Sequence, residues 1–267
     1  MRPFLAIVIA VAATANIFAH GYWFEADNFS VKLNEKTGIR LFIGEALKKE
    51  EERPYQASKT VAFQMFSTAG SFDMRSMAED GTMPLLNFSA DRSGTFLLSM
   101  ERNWSYIKLE ANKFEDYLRE DGMDYIIAER RRLGESKKEG RERYSRFIKM
   151  LFQVGGSRSD AAMTLVGSKL EIVPLENPYS KKVGDNLKLR IYFGGFPLTE
   201  NVVFADNSDG DKYSTQKLTT DKDGKVVVKL DRKGVWLVRL VFMQRCEKNC
   251  GEADWESFWG ALSFAVK

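Results

Sequence analysis

Short segments in which apolar and polar residues alternate recur along most of this sequence. In the first half they cover residues 39–43, 60–66, 95–100 and 104–109; in the second half they cover 169–173, 187–193, 202–204, 213–218, 226–230, 235–242 and 258–266. Turn-rich pieces such as "AEDGT" and "DNSDGDK" separate the segments. Alternation places every second side chain on one face of a strand, and this rhythm is typical of antiparallel sandwiches. The sequence therefore predicts a mainly β protein.

A change of period divides the predicted strands into two groups. Apolar residues recur at helical spacing around Phe114 and again from Tyr144 to Leu151. We therefore predict short helices between residues 112 and 151, broken near three glycines. The expected architecture is two β-sandwich, immunoglobulin-like domains with a short helical insertion between them. Its parts are an N-terminal β-sandwich domain over 20–153 with helices near 112–151, a linker over 154–167, and a C-terminal immunoglobulin-like domain over 168–267.

The amino terminus has the pattern of an export signal. Arg2 is followed by an apolar run from Phe4 to Ala13, and small residues follow the run. We expect a signal peptide over residues 1–19, with cleavage after either Ala15 or Ala19, and a periplasmic or secreted mature protein. No later apolar run approaches the roughly 18 residues of a membrane helix, so we expect no transmembrane helix in the mature chain.

The charge of the chain argues against nucleic acid as a partner. Forty basic and 37 acidic residues leave a formal net charge of +3, which is too weak a field to attract a polyanion along the whole surface. Residues 129–149 are locally basic, and this stretch has two interpretations. It is either a solvated helix face or a surface for an acidic partner.

The motifs of common enzymes are missing from the sequence. His20 is the only histidine, and there is no Gly-x-Ser-x-Gly elbow, no glycine-rich phosphate loop and no His-Glu-x-x-His. We therefore expect a protein that is not an enzyme.

The two cysteines, Cys246 and Cys250, lie four positions apart in "RCEKNCGE". In an oxidising compartment such a pair most simply forms a disulfide that closes a small ring across a turn. A pair of thiolates on a soft metal ion is the alternative.

His20 is the candidate metal ligand in this chain. If cleavage follows Ala19, the terminal amine and the imidazole can chelate one ion of nickel, cobalt or copper. Glu25 is the second candidate, although a strand would point it away from His20. The alternative for His20 is an ordered surface residue packed near Tyr22 and Trp23.

Several motifs suggest a family. They are, in this order, "AHGYWFE" at 19–25, "FEDYLREDG" at 114–122, "GRERYSRFIK" at 140–149, "LEIVPLENP" at 170–178, "TDKDG" at 220–224, "GVW" at 234–236 and "DWESFW" at 254–259. Over nearly the whole mature chain the sequence resembles the NikM-like family, a domain of unknown function (4198). The resemblance implies an extracytoplasmic β-sandwich protein that is accessory to nickel or cobalt uptake by a membrane metal-uptake system.

The same resemblance bears on the candidate ligands. The family's early Ala-His matches Ala19 and His20, which implies metal contact at His20. Relatives often place a histidine in the strand after the Gly-x-Trp, where this chain has Phe242, so one expected imidazole is missing. The hypotheses are therefore a metal-uptake accessory protein or a metal-independent envelope module that binds a protein, glycan or lipid surface.

Overall fold

The structure, a computed structural model, describes residues 20–267. The predicted signal peptide and both predicted cleavage positions lie outside these residues. The strands are β1 Gly21–Ala26, β2 Ser30–Val31, β3 Thr37–Glu45, β4 Lys48–Arg53, β5 Thr60–Ser67, β6 Gly70–Asp73, β7 Leu86–Phe88, β8 Gly94–Leu109, β9 Gly140–Val154, β10 Leu170–Pro174, β11 Asn186–Phe193, β12 Phe196–Pro197, β13 Val202–Ser208, β14 Tyr213–Thr219, β15 Lys225–Lys229, β16 Gly234–Arg245 and β17 Trp255–Val266. The helices are α1 Ala111–Glu120 and α2 Asp124–Arg132, with 3-10 turns at Ala57–Lys59, Asp160–Met163 and Pro178–Ser180. The predicted mainly β fold is confirmed.

One large sheet forms the centre of the molecule. Its nine strands run in the order β14-β13-β16-β17-β9-β8-β5-β6, with β2 added beside β9. β9 and β17 pair in parallel over 140–154 and 255–266, whereas most of the other pairs are antiparallel. The sheet therefore combines strands from both of the predicted domains.

Two four-stranded sheets lie against opposite faces of the large sheet. One contains β1, β3, β4 and β7, and the other contains β10, β11, β12 and β15. On β8, Leu98 belongs to the core beneath the first small sheet, while its neighbour Leu97 belongs to the core beneath the second. The middle of the large sheet is therefore covered on both faces, as in a three-layered arrangement.

The helix predicted from the spacing of Tyr144 to Leu151 is wrong, because these residues form β9. Phe147 and Leu151 pack in the second core, and Ile148 packs in the first. A strand that is buried on both faces has apolar residues at most positions, so its sequence loses the alternation that identifies a half-exposed strand.

The first part of the predicted helical insertion is confirmed as α1 and α2. α1 buries Phe114, Tyr117 and Leu118 in a third cluster with the end of the large sheet. Gly140 begins β9 directly beneath α1, and a Cβ added to it would lie 2.1 Å from Cγ of Phe114. Because no side chain fits there, this glycine allows the helix to approach the strand closely.

The predicted linker over 154–167 contains the last residue of β9 and a 3-10 turn. Its end is attached to the second small sheet, since the backbone N–H groups of Val166 and Gly167 donate to the Glu171 carboxylate at 2.6 and 3.1 Å. The division of the chain into an N-terminal domain, a linker and a C-terminal domain stays a prediction.

A buried ion pair joins two layers of the protein. Nζ of Lys149 on β9 lies 2.5 Å from Oε1 of Glu171 on β10, and both side chains are almost completely buried. Burial lowers the pKa of Lys149, and the Glu171 carboxylate opposes this effect. The pair therefore depends on both charges being present, since either one alone would be an uncompensated buried charge.

Replacing Lys149 with alanine should lower the free energy of unfolding by about 3–5 kcal/mol, because Glu171 would stay buried without its partner. Urea denaturation of the purified protein measures this loss. Lys108→Ala is the matched control, because Lys108 pairs with Glu139 at the surface and its loss should cost less than about 1 kcal/mol. Equal losses in the two variants would contradict this assignment.

Candidate functional site

A cavity of about 180 Å³ opens where His20 and β1 meet α1 and the large sheet. Its walls come from distant parts of the chain, and they include His20, Tyr22, Tyr117, Asp121, Arg146 and Trp259. Because β16 and β17 form its floor and the first small sheet covers one side, the cavity exists only in the folded protein.

His20 lies at the rim of this cavity. Its Nδ1 is 2.5 Å from Oε2 of Glu50 on β4, and its side chain is 23% exposed. Its backbone carbonyl accepts a hydrogen bond of 3.2 Å from Nη2 of Arg146. Side chain and backbone are both held, so the imidazole has a defined position at the cavity entrance.

The structure does not bring the other predicted ligand to His20. Oε1 of Glu25 accepts a hydrogen bond from Nε1 of Trp23 at 2.8 Å, and its Oε2 lies 2.7 Å from Nζ of Lys49. The carboxylate that faces the imidazole is instead Glu50, which sequence reasoning missed. Glu50 meets His20 because β1 and β4 both pair with β3. The run of charged residues around Glu50 does not alternate with apolar ones, so the sequence gives no sign of this strand.

Phe242 occupies the position where the family resemblance leads one to expect a histidine. Its ring lies 4.4 Å from that of Phe193 and packs against the second core. Its neighbour Val241 lines the cavity instead. A side chain at position 242 therefore points to the face of the sheet opposite His20.

Other metal-binding groups are not assembled in the part of the chain that the structure describes. Among residues 20–267, no three side chains of His, Cys, Asp or Glu are grouped closely enough to hold a metal ion. Cys246 and Cys250 form a disulfide within the loop that connects β16 to β17, with their Cα atoms 5.8 Å apart.

A buried carboxyl group lies behind the aromatic wall of the cavity. Glu142 accepts hydrogen bonds from the hydroxyls of Tyr117, at 3.1 Å, and Ser257. Its second oxygen has no partner among the described residues. Burial raises the pKa of Glu142 to about 7, against the effect of these hydrogen bonds. The group is therefore partly protonated at neutral pH.

The adjacent wall carries a second acid. Burial raises the pKa of Asp121 to about 7, although Arg239 lies 3.3 Å away and opposes the shift. Arg239 also holds Asp206, at 2.7 Å. The guanidinium of Arg239 thus pairs with two carboxylates, so it compensates the negative charge of Asp121 only in part.

Aromatic rings complete the cavity. The rings of Tyr117 and Trp259 are stacked, with centroids 5.9 Å apart, and the guanidinium of Arg146 lies 4.1 Å from the ring centroid of Tyr22. Tyr117, Asp121 and Arg146 were not predicted as site residues, because all three lie in the segment near 112–151 that was predicted to be helical. The arrangement can bind a small ligand through stacking, charge and hydrogen bonds.

The family model described as "Domain of unknown function (DUF4198)" matches residues 17–244. The chain belongs to this family. The match covers the cavity-lining residues from His20 to Val241 but not Trp259, Gly260 and Ala261. No curated protein matches the sequence.

Solved structures resemble this one only weakly. A tetra-tandem repeat from the extending region of a large adhesion protein has a TM-score of 0.25 and 9% identity, covering 93% of this chain and 50% of that one. Salmonella alpha-2-macroglobulin reacted with methylamine has a TM-score of 0.24 and 12% identity, covering 93% of this chain and 15% of that one. The chain thus spans half or less of these two proteins, and similarity at this level does not transfer a function.

Neither helix in residues 20–267 is long and apolar enough to cross a membrane.

Replacing Glu142 with glutamine should make stability less dependent on pH. In the wild type, the buried carboxyl keeps its proton up to about pH 7, whereas the unfolded group loses it near pH 4.5. Stability should therefore fall as pH rises through this interval, because the unfolded state releases the proton first. Glu142→Gln should remove up to roughly 3 kcal/mol of that fall.

Urea denaturation at steps from pH 4.5 to pH 8 measures the slope. Glu139→Gln is the control, because Glu139 is at the surface, three residues before Glu142. Its slope should equal that of the wild type. Parallel curves for wild type and Glu142→Gln would show that Glu142 is not the buried acid that responds.

Proposed function

We propose that this protein is an exported, non-enzymatic binding protein that is accessory to transition-metal uptake. It binds nickel, cobalt or copper at His20. The observation that carries this proposal is the His20 imidazole held at the rim of the cavity, 2.5 Å from the Glu50 carboxylate. Imidazole and carboxylate are both ligands that such ions accept, so an ion on Nδ1 would also meet an anionic oxygen.

The number of donors depends on where the chain is cut. His20 and Glu50 supply one nitrogen and one carboxylate group. Cleavage after Ala19 adds the terminal amine on the same residue as the imidazole, and the set then reaches three. Glu50 takes the place that the sequence assigned to Glu25, because Glu25 is engaged with Trp23 and Lys49.

Further observations support export and a role in transport. Arg2 and the apolar run from Phe4 to Ala13 have the pattern of a secretion signal, and the disulfide Cys246–Cys250 is a bond that oxidising compartments favour. The resemblance to NikM-like proteins supports a membrane metal-uptake system as partner. A small cavity with charged and aromatic walls supports a role in ligand binding.

Calorimetric titration of the mature protein with Ni(II), Co(II) and Cu(II) tests the metal role. We expect a form that begins at His20 to bind at least about tenfold more tightly than a form that begins at Asn16, since the amine closes a chelate ring. His20→Ala should abolish binding, and Glu50→Gln should weaken it.

Two carboxylate variants serve as matched controls. Glu51 neighbours Glu50 on β4 but pairs with Arg53, and Glu25 pairs with Lys49, so Glu51→Gln and Glu25→Gln should bind as the wild type does. Binding no tighter than about 100 μM, with His20→Ala equal to wild type, would refute the metal role. Capture of an envelope partner in the presence of a chelator would then favour the metal-independent module.

A further inference from the structure

Two buried arginines lie side by side next to the cavity. Arg102 on β8 and Arg146 on β9 are directly opposite each other in the antiparallel ladder, and each is at most 8% exposed. Their guanidinium carbons lie 5.3 and 4.1 Å from the ring centroid of Tyr22. Like charges at directly opposite positions destabilise a sheet, so this arrangement carries a cost.

No carboxylate forms an ion pair with either arginine within the described chain, and Glu142 interacts with Arg146 only through its charge, without a hydrogen bond. Neither arginine has an ion-pair partner within 4.0 Å among residues 20–267. Nη2 of Arg102 donates to Oε1 of Gln56 at 2.6 Å, and Nη2 of Arg146 donates to the His20 carbonyl at 3.2 Å. Nη1 of Arg102 and Nε of Arg146 are buried and have no described partner. Buried charges are normally paired, so this pair of cations points to an anion that comes from outside.

The electrostatics of Arg102 agree with this geometry. Burial lowers its pKa, and the charges of Arg146 and Arg53 lower it further. Arg53 itself has a buried Nε without a described partner. Of these three residues, Arg146 lines the cavity, so a ligand in the cavity reaches the cationic cluster through Arg146.

The mouth of the cavity has the opposite charge. Glu45 and Glu120 are exposed, line the cavity, and form no ion pair among residues 20–267. Asp121 is already engaged by Arg239. A dianion such as phosphate would meet Arg146 at one end and two uncompensated carboxylates at the other. A ligand with a single carboxylate and a positive group avoids this repulsion.

We propose that the cavity binds a small zwitterionic carboxylate of the amino-acid class. Its carboxylate pairs with Arg146, its ammonium group lies towards Glu45 and Glu120, and its apolar part lies against Tyr22 and Trp259. Arginine suits this role because its planar fork matches a carboxylate in two hydrogen bonds. The site does not depend on a metal ion at the imidazole, since the hydrogen bond from Arg146 to His20 goes to the backbone carbonyl.

Three probes that share a phenyl ring test the contributions of the ammonium group and the carboxylate separately. L-phenylalanine carries both groups, 3-phenylpropanoate lacks the ammonium group, and L-phenylalaninamide lacks the carboxylate. Calorimetry on the full mature protein, in buffer with a chelator, should show phenylalanine binding most tightly and the amide most weakly. Phosphate should not compete with phenylalanine.

Variants of Arg146 then test whether this residue binds the carboxylate. Arg146→Gln should weaken phenylalanine binding by at least about tenfold, because a charged hydrogen-bonding partner is lost. Arg146→Lys keeps the charge but loses the fork, and it should fall between wild type and Arg146→Gln. Arg141→Gln is the matched control on the same strand, since Arg141 pairs with Asp254 outside the cavity. Circular dichroism and urea denaturation verify that each variant folds.

The results separate this inference from the metal role. His20→Ala should lose metal binding and keep phenylalanine binding, because the backbone carbonyl that Arg146 contacts remains. The inference is overturned if the amide binds as tightly as phenylalanine, if Arg146→Gln binds as the wild type does, or if phenylalanine does not bind at ~10 mM.

Discussion

The parallel pairing of β9 with β17 is the interaction on which the rest of this structure depends. It joins the strands of the first half of the chain to those of the second in one nine-stranded sheet. Because small sheets cover both faces, β9 contributes to two cores along its length. Glu142 and Arg146 point to the face with the cavity, and Lys149 points to the face covered by the second small sheet.

Charged residues that are buried inside such a strand are costly, and three of those on β9 have different environments. Lys149 is paired with Glu171, whose carboxylate opposes the effect of burial on the lysine. Glu142 is partly protonated at neutral pH, because burial raises its pKa to about 7. Arg146 has no ion-pair partner among the described residues, its Nε has no hydrogen-bond partner there, and it lies beside Arg102. The unpaired charge thus lies at the cavity, where a ligand can reach it.

The strands with one exposed face were the part of the fold that the sequence predicted best. Segments such as 187–193 and 226–230 alternate clearly, and both are strands of the second small sheet. The prediction for β9 was wrong because both faces of this strand are buried, which removes the alternation of apolar and polar residues. The parallel contact between β9 and β17 has no local signal either, since it joins segments about a hundred residues apart and depends on the packing of both.

By itself, the sequence determined that the chain is mainly β, that it has a short helical segment near Phe114, and that His20 is its single histidine. These are local properties, set by the period of apolar residues and by residue type. Only the tertiary structure decided that Glu50 faces His20, that Arg146 meets Tyr22, and that the cavity lies between them. Such contacts follow from strand register and layer packing, in which residues far apart in the chain become neighbours because their strands share buried faces.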